Sequence, residues 1–465
     1  MTPESEVLER NVQICLVVGI MLLFLTVWKG DGGYLDLKQY LDNTESVWLN
    51  GELSKPGHPG QYYIHPLGIS VLSGPFMLAG VVIEKVSGGM FGRRAVAAFS
   101  IPVFSALACL LVFKTGRELN LSPSVSFFAA AALGVASPFF QYSRLYYGEA
   151  GIALGICVAN WAFLRARRST DGAAIAWVVL AGAGLACATA CHFNNFFISL
   201  ILWLAMSAAF VLDRTQPLPM RVLRIAALSV VPILAGGAIL YLNTVRFGGP
   251  FNTGYDVYML KETPHPVSFL NVSSNLGYLA VWLLRVPWAI PAFFALYTFF
   301  KKEPIWTVGL AASALAQLVF MQTFCGLNTF PIRYHESAVV ILSIGLLVIG
   351  NAIWKRWQER GLIFSLILMF AFNVGDFIHV VEFGNLRAFW RLGPNQPMLC
   401  SVWYMVPSRS PFVPATPMGP MQWAVLAVLA LSGSALLVLG FNYAAKISAV
   451  PASVSTNSDL ACIQN

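Results

Sequence analysis

Residues 12–36 read VQICLVVGIMLLFLTVWKGDGGYLD, an apolar run followed by a glycine-rich segment with one acidic residue, Asp31, among its glycines. The run from Val12 to Trp28 is long enough to cross a membrane as a helix, for which about 17–25 residues are needed. Three glutamates precede it and it lacks a small-residue cleavage site. It is therefore predicted to be an uncleaved transmembrane helix rather than a signal peptide.

The composition extends this prediction to the whole chain. The 465 residues are 57% hydrophobic and 11% charged, whereas soluble domains carry about 25% charged residues. The mean hydropathy is +0.68. The net charge of +8 comes from Lys and Arg that lie mainly at the ends of apolar runs, where membrane topology requires them. The sequence therefore predicts a multi-pass membrane protein and no nucleic-acid partner.

About twelve spans are predicted, and the basic groups orient them. The apolar runs are residues 11–28, 95–113, 122–140, 149–165, 173–191, 194–212, 222–243, 276–300, 304–325, 336–354, 362–381 and 422–440. Five short basic loops occur at every second junction, which places them and both termini in the cytoplasm. Residues 64–84 are also apolar, but counting them as a crossing would invert the later loops. Their Pro and Gly residues disfavour one helix, so they are predicted to lie in the outer interface.

The predicted fold is therefore an all-α, polytopic transmembrane bundle with an interfacial helical region after the first span. Residues 1–350 are expected to form a catalytic module with outer loops 29–94, 141–149, 244–275 and 326–335. Residues 351–450 are expected to add C-terminal helices with an outer loop at 382–421. The tail, 451–465, is expected to be disordered. Because the long loops all face outward, function is predicted on the outer face.

Asp31 is the first candidate functional residue. The glycines around it let backbone and ligand approach closely, and a carboxylate at the membrane rim can accept a proton from a substrate. Apolar and aromatic residues spaced three to four apart in 34–49 predict an amphipathic helix on the membrane surface. Asp31 is therefore predicted to be the catalytic residue of a membrane-embedded transferase. Asp36 and Asp42 are expected to be ordinary solvated acids.

Other polar residues of the outer loops are candidates for binding a substrate. His58 and His65 could hold a phosphate or sugar, or could be structural. The short second loop could form a sugar or pyrophosphate cradle from Tyr142, Arg144, Tyr146 and Glu149. Alternatively, Glu149 only stabilises the start of its helix through the helix dipole.

Two later outer segments supply further arginines, Arg246 and Arg333. A guanidinium can bind two phosphate oxygens at once, and Arg333 is the best such candidate. The alternative is that it extends toward lipid headgroups. Asp376 falls inside a predicted span, which by itself marks a carboxylate as a functional candidate.

These motifs, taken in order, resemble the integral-membrane glycosyltransferases of the C-type fold. Within that group the chain is similar to the bacterial branch related to aminoarabinose transferase, the lipopolysaccharide-core galacturonosyltransferases and the protein O-mannosyltransferases. The matching segments are GDGGYL at 30–35, HPLG at 65–68 with GPF at 74–76, YSRLYYGE at 142–149, RFGGPFNTGY at 246–255 and RY at 333–334. The resemblance extends to about residue 340. Two positions depart from it: Gly32 stands where Glu is frequent, and Gly148 where Pro is common.

The resemblance implies a polyprenyl-phosphate monosaccharide as donor and Asp31 as general base in one inverting displacement. It implies that Arg333, Arg246 and Arg144 bind the donor phosphate, and that Glu149 and Asp36 position the acceptor or a metal ion. Sugar or headgroup contacts are expected from His58, His65, Tyr142, Tyr146, Tyr255, Tyr334 and His335. No cofactor is required, although a divalent cation stays open because so few ligands do not establish a metal site.

The acceptor stays open among a lipid, a glycan and a protein. The resemblance implies location in the bacterial inner membrane, with the active site on the periplasmic face and membrane lipids around it. Two other functions are alternatives. A transporter or flippase for a lipid-linked sugar should show paired repeats and helices broken at mid-membrane. A scaffold subunit would not concentrate acidic, basic and aromatic residues on one face.

Overall fold

The computed structural model describes residues 3–28, 35–55, 58, 60–63, 65–89, 91–143, 146–169, 173–253, 283, 286–324, 336–381 and 420–449. Throughout these residues the regular structure is helical, and their one isolated β-bridge joins Lys55 to His58. The all-α prediction is confirmed.

The first part of the chain places four short helices after one long helix. These are α1 (Pro3–Val27), α2 (Leu35–Glu45), α3 (Gly68–Leu72), α4 (Gly74–Val86) and α5 (Arg93–Ala98). A π-helical turn, Ser46–Asn50, continues α2.

The remaining helices form the body of the bundle. They are α6 (Ser100–Glu118), α7 (Pro123–Val135), α8 (Phe139–Tyr142), α9 (Glu149–Arg168), α10 (Ala173–Cys191), α11 (Phe196–Val211), α12 (Leu218–Phe247), α13 (Ala289–Ala295, continued by a 3₁₀ turn, Leu296–Lys301), α14 (Pro304–Phe324), α15 (Glu336–Val381) and α16 (Pro420–Ala449).

Seven of the described helices are long and apolar enough to cross a membrane, and four apolar helices are shorter. Helix α15 is kinked at Gln358, which has a left-handed φ of 50°. The kink divides it into the two predicted spans 336–354 and 362–381. The other predicted spans also coincide with described helices, apart from 276–300, of which only the second half is described as helical. The chain is an integral membrane protein with a polytopic helical fold.

Small residues allow the helices to approach closely. A Cβ added at Gly155 would lie 2.6 Å from the carbonyl oxygen of Gly184, so α9 and α10 pack backbone against backbone. Gly19 of α1 and Gly433 of α16 meet in the same way. Such contacts are typical of membrane bundles, in which van der Waals packing replaces the hydrophobic effect. The proposed division into a catalytic module and C-terminal helices stays a prediction.

The predicted interfacial segment forms two helices rather than one. Helices α3 and α4 meet at Ser73, and the glycines on either side serve close contacts. A Cβ at Gly68 would overlap the Ala190 carbonyl, and one at Gly74 would overlap the Trp48 ring. Along α4 five apolar side chains are exposed: Leu78, Val81, Val82, Ile83 and Val86. An exposed apolar face of this kind suits a helix that lies against lipid.

Ion pairs gather the predicted cytoplasmic loops at one end of the bundle. Arg117 lies 3.2 Å from Glu9, and Arg167 lies 2.6 Å from Asp213 and 3.6 Å from Glu303. The loops that the positive-inside rule assigned to one side are therefore held together. At the opposite end, the described parts of the first three outer segments are joined by contacts of Tyr40, Tyr146 and Arg246.

Candidate functional site

The predicted site residues divide by what the structure describes. Asp31, Arg144, Tyr255, Arg333, Tyr334 and His335 lie outside the described residues, as do the side chains of Asp36, Tyr142 and Asp376. The described candidates are His58, His65, Tyr146, Glu149 and Arg246. All but His58 are buried, and the buried four meet at the outer end.

His65 is packed into an aromatic cluster. Its ring stacks on that of Tyr40 from α2, with centroids 4.3 Å apart and planes inclined by 22°. Tyr147 packs its edge against the same Tyr40 ring at 6.1 Å. The first outer loop, α2 and the second outer loop are thereby joined around one imidazole. His58 lies apart from this cluster and is exposed.

Arg246, at the end of α12, holds the segment that carries His65. Its Nη2 group donates to the carbonyl oxygens of Tyr63 and His65, the latter at 3.2 Å. Its guanidinium carbon lies 4.7 Å from the centre of the Phe247 ring. This candidate phosphate-binding group is thus engaged with the protein backbone, which makes it an anchor for residues 63–65.

Tyr146 links the second outer loop to two helices. Its hydroxyl is hydrogen bonded to Thr44 Oγ1 at 2.8 Å and to Ser73 Oγ. Trp48 Nε1 donates to the Ser70 carbonyl at 2.9 Å beside it. The Tyr146 hydroxyl is therefore occupied by protein partners, and the tyrosine fixes α2 against the junction of α3 and α4.

Glu149 is the first residue of α9 and is 2% exposed. A carboxylate at this position is favoured by the positive end of the helix dipole. The preceding Gly148 packs against α10, and a Cβ there would lie 2.6 Å from the Cys191 carbonyl oxygen. This contact explains why residue 148 is glycine and not the proline that the sequence resemblance implied, since proline also carries a Cβ.

A charged network surrounds the cluster on α2 and α5. Arg93 and Arg94 bind Glu45 at 2.6 Å and 2.5 Å, and Arg94 also binds Asp42 at 2.7 Å. Tyr63 donates its hydroxyl to the same Asp42 at 2.7 Å. The prediction that Asp42 is a solvated acid was wrong: it is 7% exposed. Its partners are 21 and 52 residues away in sequence, so the local pattern could not reveal them.

The pairing shifts the acidity of two groups. Burial alone would raise the pKa of Glu45, but the hydrogen bonds and charges of Arg93 and Arg94 outweigh it and lower that pKa. Burial and the hydrogen bond to Asp42 raise the pKa of Tyr63. Glu45 is therefore ionised and Tyr63 protonated near neutral pH, as the network requires.

We expect Glu45→Gln to remove an acid-sensitive part of the stability. The folded-state pKa lies below the ordinary value of 4.5, so the stabilisation is present above about pH 4.5 and is lost as pH falls through the folded-state pKa. In detergent, the wild-type unfolding temperature should drop over that range. The variant should start lower at pH 7 and drop less. Exposed Glu52→Gln is the matched control, and parallel curves for wild type and Glu45→Gln would refute the assignment.

Sequence reasoning missed a second polar junction between α10, α11 and α15. Asn195 accepts a hydrogen bond from Ser337, and its Nδ2 donates to the His192 carbonyl at 3.4 Å. All three residues are buried. The sequence did carry a sign of this junction, because polar residues occur where the predicted spans 173–191 and 194–212 meet at the outer face. The junction fixes the start of α15, two residues after the predicted contact His335.

Among the residues with described positions, no group of three or more His, Cys, Asp and Glu side chains is placed to hold a metal ion. The described part of the site instead combines stacked aromatic rings, an imidazole, a buried carboxylate and a backbone-bound guanidinium. These groups are at most 6% exposed, and those of Tyr146 and Arg246 are hydrogen bonded to protein atoms.

Comparison with family models and with curated proteins finds no match. Solved structures do match. ArnT from Cupriavidus metallidurans bound to undecaprenyl phosphate superposes with a TM-score of 0.51 and 15% identity, over 94% of this chain and 76% of that one. The apo state of ArnT gives 0.51 and 14% over the same shares. The archaeal oligosaccharyltransferase AglB from Archaeoglobus fulgidus, in complex with an inhibitory peptide and a dolichol-phosphate, gives 0.48 and 14% over 94% and 56%.

The likeness to ArnT covers 94% of this chain, which is more than the segment that carries the sequence motifs. At this level of identity it establishes architecture. The chain has the polytopic helical fold of the C-type membrane glycosyltransferases.

Proposed function

We propose that this chain is a glycosyltransferase that moves a monosaccharide from a polyprenyl-phosphate donor to an acceptor at the outer end of the bundle. The observation that carries the proposal is the convergence of Tyr40, His65, Tyr146, Glu149 and Arg246 at that end, from segments far apart in sequence. The fold, shared with ArnT bound to undecaprenyl phosphate, supports it. The segment that contains Asp31 is flanked by two described residues: Trp28, which directly follows α1, and Leu35, which is the first residue of α2.

In the proposed reaction Asp31 takes the proton of an acceptor hydroxyl while that oxygen attacks the anomeric carbon. The bond from this carbon to the phosphate oxygen breaks, polyprenyl phosphate leaves, and the configuration inverts. Arg333 and Arg144 neutralise the charge that develops on the phosphate. Arg246 supports the site by fixing residues 63–65, and Glu149 positions the acceptor. Asp36 keeps its predicted role of positioning the acceptor or a metal ion. The predicted sugar or headgroup contacts are kept by His58, Tyr142, Tyr255, Tyr334 and His335. The proposed reaction requires no organic cofactor, and a divalent cation near Glu149 and Asp36 stays open.

We place the reaction at the periplasmic face of a bacterial inner membrane. The basic loops at the opposite end of the bundle support this orientation, because such loops remain in the cytoplasm. The donor chain then lies in the outer leaflet with its phosphate at the membrane rim.

A donor panel tests the proposal. Membranes containing the protein are supplied with polyprenyl-phosphate monosaccharides that carry a radiolabelled sugar, and membranes without the protein are the control. We expect label from one donor to move into an acceptor fraction only when the protein is present. No consumption of any donor by a folded protein would overturn the proposal.

A further inference from the structure

Arg224 is a buried arginine of α12, at the end of the bundle where the basic loops lie. It is 4% exposed, and its guanidinium carbon lies 5.7 Å from the centre of the Phe210 ring on α11. Within the described part of the chain, no hydrogen bond and no ion pair engages this guanidinium. Buried charges in proteins are normally paired and hydrogen bonded. Arg224 therefore requires a partner that the described residues do not supply.

The acid whose charge acts on Arg224 is Asp213, but other donors already hold its oxygens. Its Oδ2 accepts from Arg167 Nη1 at 2.6 Å, and its Oδ1 accepts from the backbone N–H and the hydroxyl of Thr215 at 3.2 Å and 2.5 Å. Glu303, the second acid of this ion-pair group, lies 3.6 Å from Arg167 Nε. Both carboxylates are therefore engaged elsewhere, and the charge of Arg167 opposes that of Arg224.

The two amino groups of Arg224 remain open to a ligand. Of its three guanidinium nitrogens only Nε is enclosed, so Nη1 and Nη2 reach the surface. Arg221, which is its neighbour one turn earlier on α12, donates from Nη1 to the Val211 carbonyl at 2.8 Å. The amino groups of one guanidinium can bind two oxygens of one phosphate. The arrangement therefore suits a phosphate held by Arg224, with the charge of Arg221 beside it.

The surface beside these arginines indicates a membrane lipid as the source of the phosphate. Four apolar residues at the junction of α11 and α12 are 48–64% exposed: Val211, Leu212, Leu218 and Val222. A lipid whose phosphate is bound by Arg224 would place its acyl chains against this apolar surface. Basic pockets between transmembrane helices on the cytoplasmic side bind the head groups of anionic lipids. The exposed Arg214 nearby adds positive charge, which favours an anionic lipid over a zwitterionic one.

We infer that Arg224, with Arg221 beside it, binds the phosphate of an anionic membrane lipid at the basic end of the bundle. The phosphate oxygens accept the hydrogen bonds for which the described chain offers no acceptor. The bound lipid then holds the end of α11 against the start of α12, because both helices contact it. This site lies at the opposite end from the candidate functional site, and the inference does not depend on the proposed function.

A matched pair of variants tests the site. The full chain, purified free of lipid in a non-ionic detergent, is titrated with phosphatidylglycerol while its unfolding temperature is measured. Arg224→Met keeps an unbranched side chain but removes every donor, and Arg214→Met removes the same charge from an exposed position at the same end. We expect a saturable rise in the unfolding temperature of wild type and Arg214→Met. In Arg224→Met half-saturation should require about tenfold more lipid, because charge-assisted hydrogen bonds are lost.

The stability of the lipid-free protein separates a ligand site from a structural role. Without lipid, Arg224→Met should unfold at the wild-type temperature or above it, because the substitution breaks no hydrogen bond within the described chain. Arg224→Lys, which keeps the charge without the guanidinium fork, should bind lipid with intermediate affinity. A lower unfolding temperature of lipid-free Arg224→Met together with an unchanged lipid response would show that Arg224 serves the fold through Asp213, and would overturn the inference.

Two further probes identify the source of the phosphate. Phosphatidylcholine, which carries the same phosphodiester without net charge, should have a small and equal effect on wild type and both methionine variants. Inorganic phosphate should have none at the concentrations that saturate the lipid site. A rise with inorganic phosphate that depends on Arg224, without one from phosphatidylglycerol, would overturn the assignment to a lipid. An equal response to phosphatidylglycerol in wild type and Arg224→Met, or an equal loss in both methionine variants, would overturn the site itself.

Discussion

Asp31→Asn is expected to lower the initial rate of sugar transfer by about 10²- to 10⁴-fold, the usual contribution of a general base. The amide keeps the size of the side chain but cannot accept the proton of the acceptor hydroxyl. The measurement is the rate of label transfer per mole of purified protein, with the thermal unfolding temperature recorded for both forms. Folding should be unchanged, because the substitution removes a charge and little volume.

Glu52→Gln is the matched control for that experiment. Glu52 is another acid of the first outer loop, and it is exposed. Its amide variant should transfer sugar at the wild-type rate. A wild-type rate in Asp31→Asn would remove Asp31 from the chemistry, whereas an equal loss in both variants would indicate a general effect of charge on this face.

Arg246→Ala is expected to have the second-largest effect, on both stability and activity. The arginine is 6% exposed and donates to two backbone carbonyls. A hydrogen bond to a charged group contributes about 1.5–3 kcal/mol, and the substitution removes the Arg246 donor from both carbonyls. The unfolding temperature should fall clearly, and transfer should drop more than tenfold because residues 63–65 lose their anchor.

Arg246→Lys separates anchoring from phosphate binding. Lysine binds phosphate as a point charge but cannot reproduce the guanidinium fork. If Arg246 anchors the segment, Lys should resemble Ala; if it binds the donor phosphate, Lys should restore much of the rate and raise the KM for the donor. Arg360→Ala, at an exposed position on α15, is the control. Wild-type stability and rate in Arg246→Ala would contradict the anchoring role.

The membrane fold was predictable because its determinants are local. Each span is a predominantly apolar run, and basic residues mark alternate ends. Even the interfacial region followed from Pro66, Gly68 and Gly74 together with the parity of the basic loops. The basic junction 355–360 was predicted as a short loop, whereas the structure continues α15 through it with a kink at Gln358. Sequence patterns do not distinguish a tight loop from a kinked helix at such a junction.

The sequence predicted which residues belong to the candidate site, but not which of them contact each other. The outer loops showed which residues could act, but Asp42 pairs with Arg94, and Asn195 with Ser337, across long stretches of chain. Arg246 illustrates the difference. Its type and position suggested phosphate binding, while its contacts with two carbonyls depend on how α12 packs against the first outer loop.

The most direct test of the central claim uses a donor labelled twice, with tritium in the sugar and radiophosphorus in the phosphate, supplied to the purified protein in vesicles with a total membrane extract that contains lipids, glycans and proteins. We predict that the two labels separate: tritium moves into an acceptor, and radiophosphorus stays with the polyprenol. Labels that remain together, whether they cross the membrane or not, would contradict the glycosyltransferase function.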